Sequence, residues 1–183
     1  MYFLLNLDTQ LFYFFNSTIA NPVFDFIMPI ITEQNNWYFV YFALILFLII
    51  KYKKKGLIIV LALLVAVGIA DYISSNIIKD AVGRLRPCHS LQYVHLLVPC
   101  GPGKSFPSSH AVNNFALATV LTYYFKKYAW VFCTIAGIIA FSRISVGAHY
   151  PLDVVGGALI GSIIGCGVVM LFAKVIFKKS EEM

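Results

Sequence analysis

The chain has 183 residues, 60% of them hydrophobic and 12% charged, with a mean hydropathy of +0.82. A water-soluble domain typically carries about twice that charged share, so composition excludes an ordinary soluble enzyme, and the length suits one domain in a bilayer. The net charge of +6 does not describe a nucleic-acid face, because the lysines gather at the ends of apolar runs, where they anchor membrane helices and set topology.

In chain order, residues 1–33 come first. Leu4, Leu5, Leu7, Leu11, Phe12, Phe14 and Phe15 make this segment apolar, while Asn6, Asp8, Gln10, Asn16 and Ser17 interrupt it and Asn21-Pro22 breaks it. It carries the acids Asp8, Asp25 and Glu33 and no base, and predicts one or two interfacial helices on the outer face, with a sixth span as the alternative. The first 50 residues contain no Lys or Arg, so the basic start of a cleavable signal peptide is missing and the apolar segments are expected to persist.

Five spans are predicted at residues 34–50, 56–78, 111–125, 128–142 and 154–173, the second interrupted only by Asp71. Asp71 lies eight residues before Lys79 on about the same helix face and reads as a buried structural partner. Lys51, Lys53, Lys54 and Lys55, then Lys126–Lys127, then Lys174, Lys178 and Lys179 all fall on one side of a five-span chain, which the positive-inside rule makes cytoplasmic. The expected organisation is therefore an all-α integral membrane bundle. It has N-terminal interfacial helices (1–33), a catalytic core of five transmembrane helices (34–177) and a cytoplasmic tail (178–183). The loop 79–110 and the turn 143–153 are then extracytoplasmic.

Cys133 and Cys166 lie in apolar runs and read as packing residues. Cys88 and Cys100 share one polar loop and can pair if it faces an oxidising compartment. No Cys/His spacing suggests zinc.

Three stretches carry polar chemistry, all at the outer ends of spans. Lys79, Arg86 and Pro87 continue the second span, with Lys79 about two turns below Arg86 if the helix persists. Guanidinium forks and an ammonium suit phosphate oxygens. Pro107, Ser108, Ser109 and His110 open the third span, where free N–H groups bind anions and a histidine can protonate a leaving oxygen. Arg143, His149 and Asp153 join the last two spans. The four-residue spacing lets the carboxylate reach one imidazole nitrogen and leave the other free to attack. Each stretch alone has a bland reading: snorkelling bases, a capping motif, an Asp N-cap. Their coincidence on one face of a chain that otherwise avoids charge points to phosphoryl transfer.

The pattern resembles the type 2 phosphatidic acid phosphatase superfamily: K-x6-RP (Lys79, Arg86, Pro87), PSGH (Pro107, Ser108, His110) and SR-x5-H-x3-D (Ser142, Arg143, His149, Asp153). Ser109 stands where that family usually has Gly, adding a Cβ beside the anion pocket. The resemblance implies His149 as a nucleophile forming a phosphohistidine, Asp153 as its orienting group and His110 as the acid and then base. It implies Lys79, Arg86 and Arg143 as phosphate ligands, helped by Ser108, Ser109 and nearby backbone N–H groups. It implies no cofactor and no metal.

Arg84 and Lys104 are candidate headgroup contacts, plain surface charge being the alternative. Lys104 follows Gly101-Pro102-Gly103, but residue 98 is Val, which rejects a nucleotide P-loop. His89 and His95 read as polar loop residues.

The expected activity is phosphate removal from a membrane lipid at the periplasmic face of the inner membrane, with the lipid bilayer as setting and no nucleic-acid partner. Lipid A 1-phosphate or undecaprenyl diphosphate leads, with phosphatidylglycerol phosphate or phosphatidic acid as the alternative. An anion-binding transporter would need polar residues continuing through the bundle, and apart from Asp71 the spans offer little. A catalytically silent lipid binder is opposed by the intact His149, Asp153 and His110.

Overall fold

The computed structural model describes residues 2–181, with side chains as far as Ala173. Lys174, Lys178 and Lys179, and hence the lysines of the expected tail at 178–183, lie outside the described side chains.

Every regular element among the described residues is helical. Helix α1 (Tyr2–Tyr13) continues into a π-helical turn, Phe14–Thr18. Asn21 then starts α2 (Pro22–Thr32). Its side-chain oxygen accepts from the N–H groups of Val23 and Phe24 at 3.0 and 3.1 Å, and Pro22 fills the first helical position. The two helices meet at 112°.

Helix α3 (Tyr38–Tyr72) is two limbs joined at Lys53, whose φ of 50° and ψ of −122° break the helical path. The lysine-rich run 51–55 is the polar turn expected there. The chain folds back so closely that a Cβ on Gly56 would collide with the carbonyl of Leu48. A π-helical segment, Ile73–Ile78, leads into the short α4 (Lys79–Val82). Gly83 ends it in the left-handed region at φ 66°, and Arg86 before Pro87 is extended. The helix therefore does not persist from Lys79 to Arg86, and the two cations reach the site from different backbone segments. Helix α5 (Pro87–Ser90) follows. The Cys88–Cys100 disulfide, with Cα atoms 6.2 Å apart, closes the loop.

Helix α6 (Ser109–Tyr124) is the centre of the bundle, packed on α8 (Pro151–Glu181), α7 (Ala129–Ser145) and α3. Its Val112, Ala116 and Val120 are fully buried against Ala62, Ala66 and Ala70 of the second α3 limb and against Val168 and Val169 of α8. Gly157, Gly161 and Gly165 present a four-residue repeat of bare backbone to α6. A Cβ on Gly157 would lie 2.9 Å from Ala111 Cβ and from the Ser108 carbonyl. Helices in lipid gain little from apolar burial against each other, so this close backbone approach is a main source of their association. The N-terminal helices cover one end: Phe12 is fully buried with Ala111, Ile144 and Tyr150, and Met28 packs with Val146 and Ala148.

At the opposite end, the Tyr52 and Phe125 rings meet at a tilt with centroids 5.3 Å apart, which brings the lysine turn at 51–55 beside Lys126 and Lys127. Leu64, Leu159 and Ile163 point outward, as lipid-facing residues do. Cys133 of α7 and Cys166 of α8 also face outward rather than packing inside, and Asp71 is exposed rather than buried, although its carboxylate still meets Asn113 of α6.

Among the described residues, three stretches are long and apolar enough to cross a membrane, Gln34–Ser90, Lys126–Ser145 and Pro151–Ala173, and the bent pair α1–α2 makes a fourth if it counts as one span. The first contains the break at Lys53, and α6, at 16 residues, is shorter than the roughly 20 that hydrocarbon thickness asks for. The chain is an all-helical multi-pass membrane protein.

The α6–α8 contact predicts a contrast between glycines. Gly161→Leu forces a side chain into the Val112 carbonyl and is expected to cost about 3 kcal/mol, read as a lower Tm in detergent. Gly68→Leu, with open space around it, is expected to leave Tm unchanged; equal Tm values for the two variants would contradict this packing.

Candidate active site

The turn between α7 and α8 presents His149. Gly147, at φ 82°, tightens it, and the N–H groups of Ala148 and His149 both donate to the Arg143 carbonyl at 3.0 and 3.1 Å. The imidazole is 2% exposed. Its Nδ1 lies 3.6 Å from Asp153 Oδ2, too far for a direct hydrogen bond. Ser105 fills the gap: its hydroxyl donates to Asp153 Oδ2 and its oxygen sits 3.4 Å from His149 Nδ1. The direct contact expected from the four-residue spacing is thus relayed through a serine. With the hydroxyl proton on the Asp153 side, Ser105 accepts from Nδ1–H, which leaves Nε2 unprotonated. Burial holds His149 well below the usual imidazole range, at about 4, against the opposing pull of the Asp153 carboxylate.

Asp153 is fully buried. Its Oδ2 also accepts from the Tyr150 N–H at 2.9 Å, and its Oδ1 from Arg84 Nη1 at 2.8 Å. Its backbone carbonyl accepts from Ser108 N–H at 3.1 Å, and the Phe106 ring sits against Gly156, so the 105–108 loop is fastened to the start of α8. Arg84 lies 3.9 Å above the Tyr150 ring, and its Nη2 reaches Asp8 Oδ2 at 2.5 Å. Asp8, 1% exposed, also accepts from the Leu152 N–H at 2.8 Å, capping α8 from another helix. Arg84 is therefore held between two buried carboxylates and does not reach out as a headgroup contact. Lys104 likewise pairs with Asp80 at 3.2 Å on the surface.

The remaining cations converge on the same pocket. Lys79 Nζ donates to Ser109 Oγ at 2.8 Å, and Arg143 Nη1 to Thr32 Oγ1 at 2.5 Å. The charges of Arg86 and Arg143 act on each other and on His149; those of Lys79 and Arg143 act on His110. Arg86 Nε, Arg143 Nε and Ser108 Oγ are buried and have no partner among the described residues. Buried donors are costly unless a partner receives them, so these three atoms suit the oxygens of a tetrahedral anion. His110, Lys79, Arg86, Arg143, Ser108, Ser109, His149 and Asp153 are all brought to one end of the bundle.

Asp8, Thr32 and Ser105 were not singled out by sequence. The acids of the first 33 residues carried no spacing that distinguished Asp8 from Asp25 or Glu33. Asp25 instead pairs with His95 at 3.0 Å, so His95 is a tertiary contact rather than a free loop residue. Cys88, His89 and Cys100 offer ligand atoms within 4.8 Å of one another, but the disulfide leaves no thiolates to bind a metal.

Removing Asp8 leaves Arg84 Nη2 and the Leu152 N–H without their acceptor, while Arg84 keeps Asp153. Asp8→Ala is expected to destabilise the protein by about 3 kcal/mol, measured as a fall in Tm in detergent, and an unchanged Tm would show the network to be idle.

The family model described as PAP2 superfamily matches residues 57–177. A lipid A 4'-phosphatase of Bacteroides thetaiotaomicron is 37% identical over 169 residues, covering 87% of this chain and 74% of the relative. Undecaprenyl-diphosphatase BcrC of Bacillus subtilis is 33% identical over 147 residues, covering 79% and 73%. The crystal structure of Aquifex aeolicus LpxE superposes with a TM-score of 0.72 at 31% identity, over 90% of this chain and 95% of that one. With a matching family model across most of its length and the family's residues gathered around one imidazole, the chain belongs to the PAP2 superfamily and is a phosphatase of that family.

Proposed function

We propose that the protein hydrolyses a phosphate monoester or diphosphate on an envelope lipid, a lipid A phosphate or undecaprenyl diphosphate, through a phosphohistidine on His149. The observation that carries this reading is the set of buried, unpartnered donors on Arg86, Arg143 and Ser108 beside a neutral imidazole. Relatives acting on both lipid classes support it.

In the first step His149 Nε2 attacks phosphorus and the bond to the leaving oxygen breaks. His110, which takes up a proton once the bound phosphate dianion offsets the surrounding cations, gives it to that oxygen. Lys79, Arg86 and Arg143 bind the three non-bridging oxygens, so charge is balanced by fixed cations throughout. Asp153, through Ser105, stabilises the positive charge that His149 gains. In the second step His110 takes a proton from water, the water oxygen attacks phosphorus, the N–P bond breaks, and inorganic phosphate leaves. A diphosphate follows the same path with a lipid monophosphate as leaving group. No step calls for a metal.

We further read the bundle as five spans, the two limbs of α3, α6, α7 and α8, with α1 and α2 lying on the outer face. The lysine turns at 51–55 and 126–127 adjoin each other at the end away from His149, which supports a cytoplasmic lysine end and a periplasmic site in the inner membrane.

Phosphate release from lipid A and from undecaprenyl diphosphate by detergent-purified protein is expected to persist in EDTA and to be blocked by vanadate. It is expected to fall by about 1000-fold in His149→Ala and about 100-fold in His110→Ala. Metal-dependent turnover that survives in His149→Ala would refute the mechanism.

Because burial lowers the His149 pKa, the ring stays neutral down to about pH 4 and gains its proton only below that. The acidic limb of kcat/KM assigned to it should therefore lie below about pH 5, and a limb centred near 6.5 would contradict a buried neutral nucleophile.

A further inference from the structure

One charged group near the site takes no part in the chemistry above. Asp71 interrupts the apolar second limb of α3, and it lines a cavity of about 290 Å³ whose wall also includes Ser109 and His110. A carboxylate at membrane level is costly and rarely retained without a task. Among the described residues its side chain has one hydrogen-bond partner, Asn113 Nδ2 at 3.2 Å, while Asn113 Oδ1 is buried with no partner. Asn113 follows His110 by one turn of α6, so this pair lies on the same face about 4.5 Å further along the helix axis. Beyond it the wall turns apolar, with Leu63, Leu64 and Leu117.

The cavity thus has an order: phosphate machinery, then a shelf of hydrogen-bond acceptors, then an apolar groove. The acceptors on the shelf need donors. The prenyl chain of a prenyl diphosphate supplies none beyond its phosphates, and a diacylglycerol phosphate adds only ester oxygens, which are acceptors themselves. An acylated amino sugar supplies hydroxyl and amide N–H groups within a few bonds of its phosphate, with an acyl chain attached directly behind them.

We infer that Asp71 and Asn113 form a specificity subsite that binds the hydroxyl and amide donors of a phosphorylated, acylated amino sugar, with its acyl chain lying in the groove between α3 and α6. This rests on the lipid phosphatase reading and narrows it to one of the two lipid classes. The competing role for Asp71 is electrostatic support of Lys79, on which its charge acts. The two roles differ in outcome, since Lys79 serves every phosphate substrate alike.

The test compares kcat/KM for lipid A and for undecaprenyl diphosphate in mixed micelles, for the wild type, Asp71→Leu and Asn113→Leu. Folding of each variant is checked by the Tm increase on adding vanadate, and Asn113→Leu carries the test if Asp71→Leu does not fold. The expected result is a loss of about 30-fold on lipid A with undecaprenyl diphosphate turnover held within about 2-fold, as for a deleted hydrogen bond to a charged group. Equal losses on both lipids assign Asp71 to Lys79 and overturn the subsite, as does no loss on either. A wild type active only on undecaprenyl diphosphate overturns the subsite while leaving the phosphatase reading intact. A wild type that releases phosphate from neither lipid overturns both.

Discussion

The carboxylate of Asp153 is the interaction on which the rest of the site depends. It is fully buried, and a buried charge persists only where partners replace its lost water. Its two oxygens collect Arg84, Ser105 and the Tyr150 N–H, and its carbonyl collects Ser108. Through those partners it fixes three chain-distant pieces: α1 by way of Arg84 and Asp8, the 105–108 loop, and the His149 turn. One residue at the start of α8 therefore decides the position and the tautomer of the imidazole. It also explains why N-terminal helices cap the bundle here: Asp8 completes the partner set of an arginine that would otherwise have a single acceptor.

Around that anchor the fold gathers like charges. Lys79, Arg86 and Arg143 repel one another, and each also loses hydration. Ser109 and Thr32 satisfy one donor on each of two of them, and the unpartnered nitrogens of Arg86 and Arg143 remain. Such an arrangement holds its shape only if the scaffold is stiff. The glycine-mediated seam between α6 and α8 supplies that stiffness directly beneath the pocket, since Gly157 touches the Ser108 carbonyl and Ala111. A phosphate dianion bound as proposed would relieve the repulsion and offset the cost of assembling the cations.

The three polar stretches of the candidate site were legible because each is local in sequence, with spacings that a helix end or a tight turn converts into one face. The lysine clusters were legible for the same reason, and the contact of Tyr52 with Phe125 brings two of them together. What sequence could not supply was partnership across distance. Asp8 meets Arg84 across 76 positions, Thr32 meets Arg143 across 111, and Ser105 meets Asp153 across 48. None of these pairs leaves a periodic trace. The helix stops short of Arg86 for a local reason that was visible, a glycine able to turn left-handed at residue 83 before an Arg-Pro step. The four-residue repeat of Gly157, Gly161 and Gly165 was equally visible and specifies the close approach of α8 to α6.

The central claim is that the imidazole of His149, oriented from Asp153 through Ser105, becomes covalently bonded to phosphorus. Rapid quenching in base of the protein mixed with lipid carrying labelled phosphate tests this directly. The account predicts an acid-labile, base-stable phosphoryl adduct on the peptide containing His149, absent from His149→Ala. Full turnover by the wild type with no labelled peptide on any quench timescale, and with inversion of configuration at phosphorus, would instead mean direct attack by water and would contradict it.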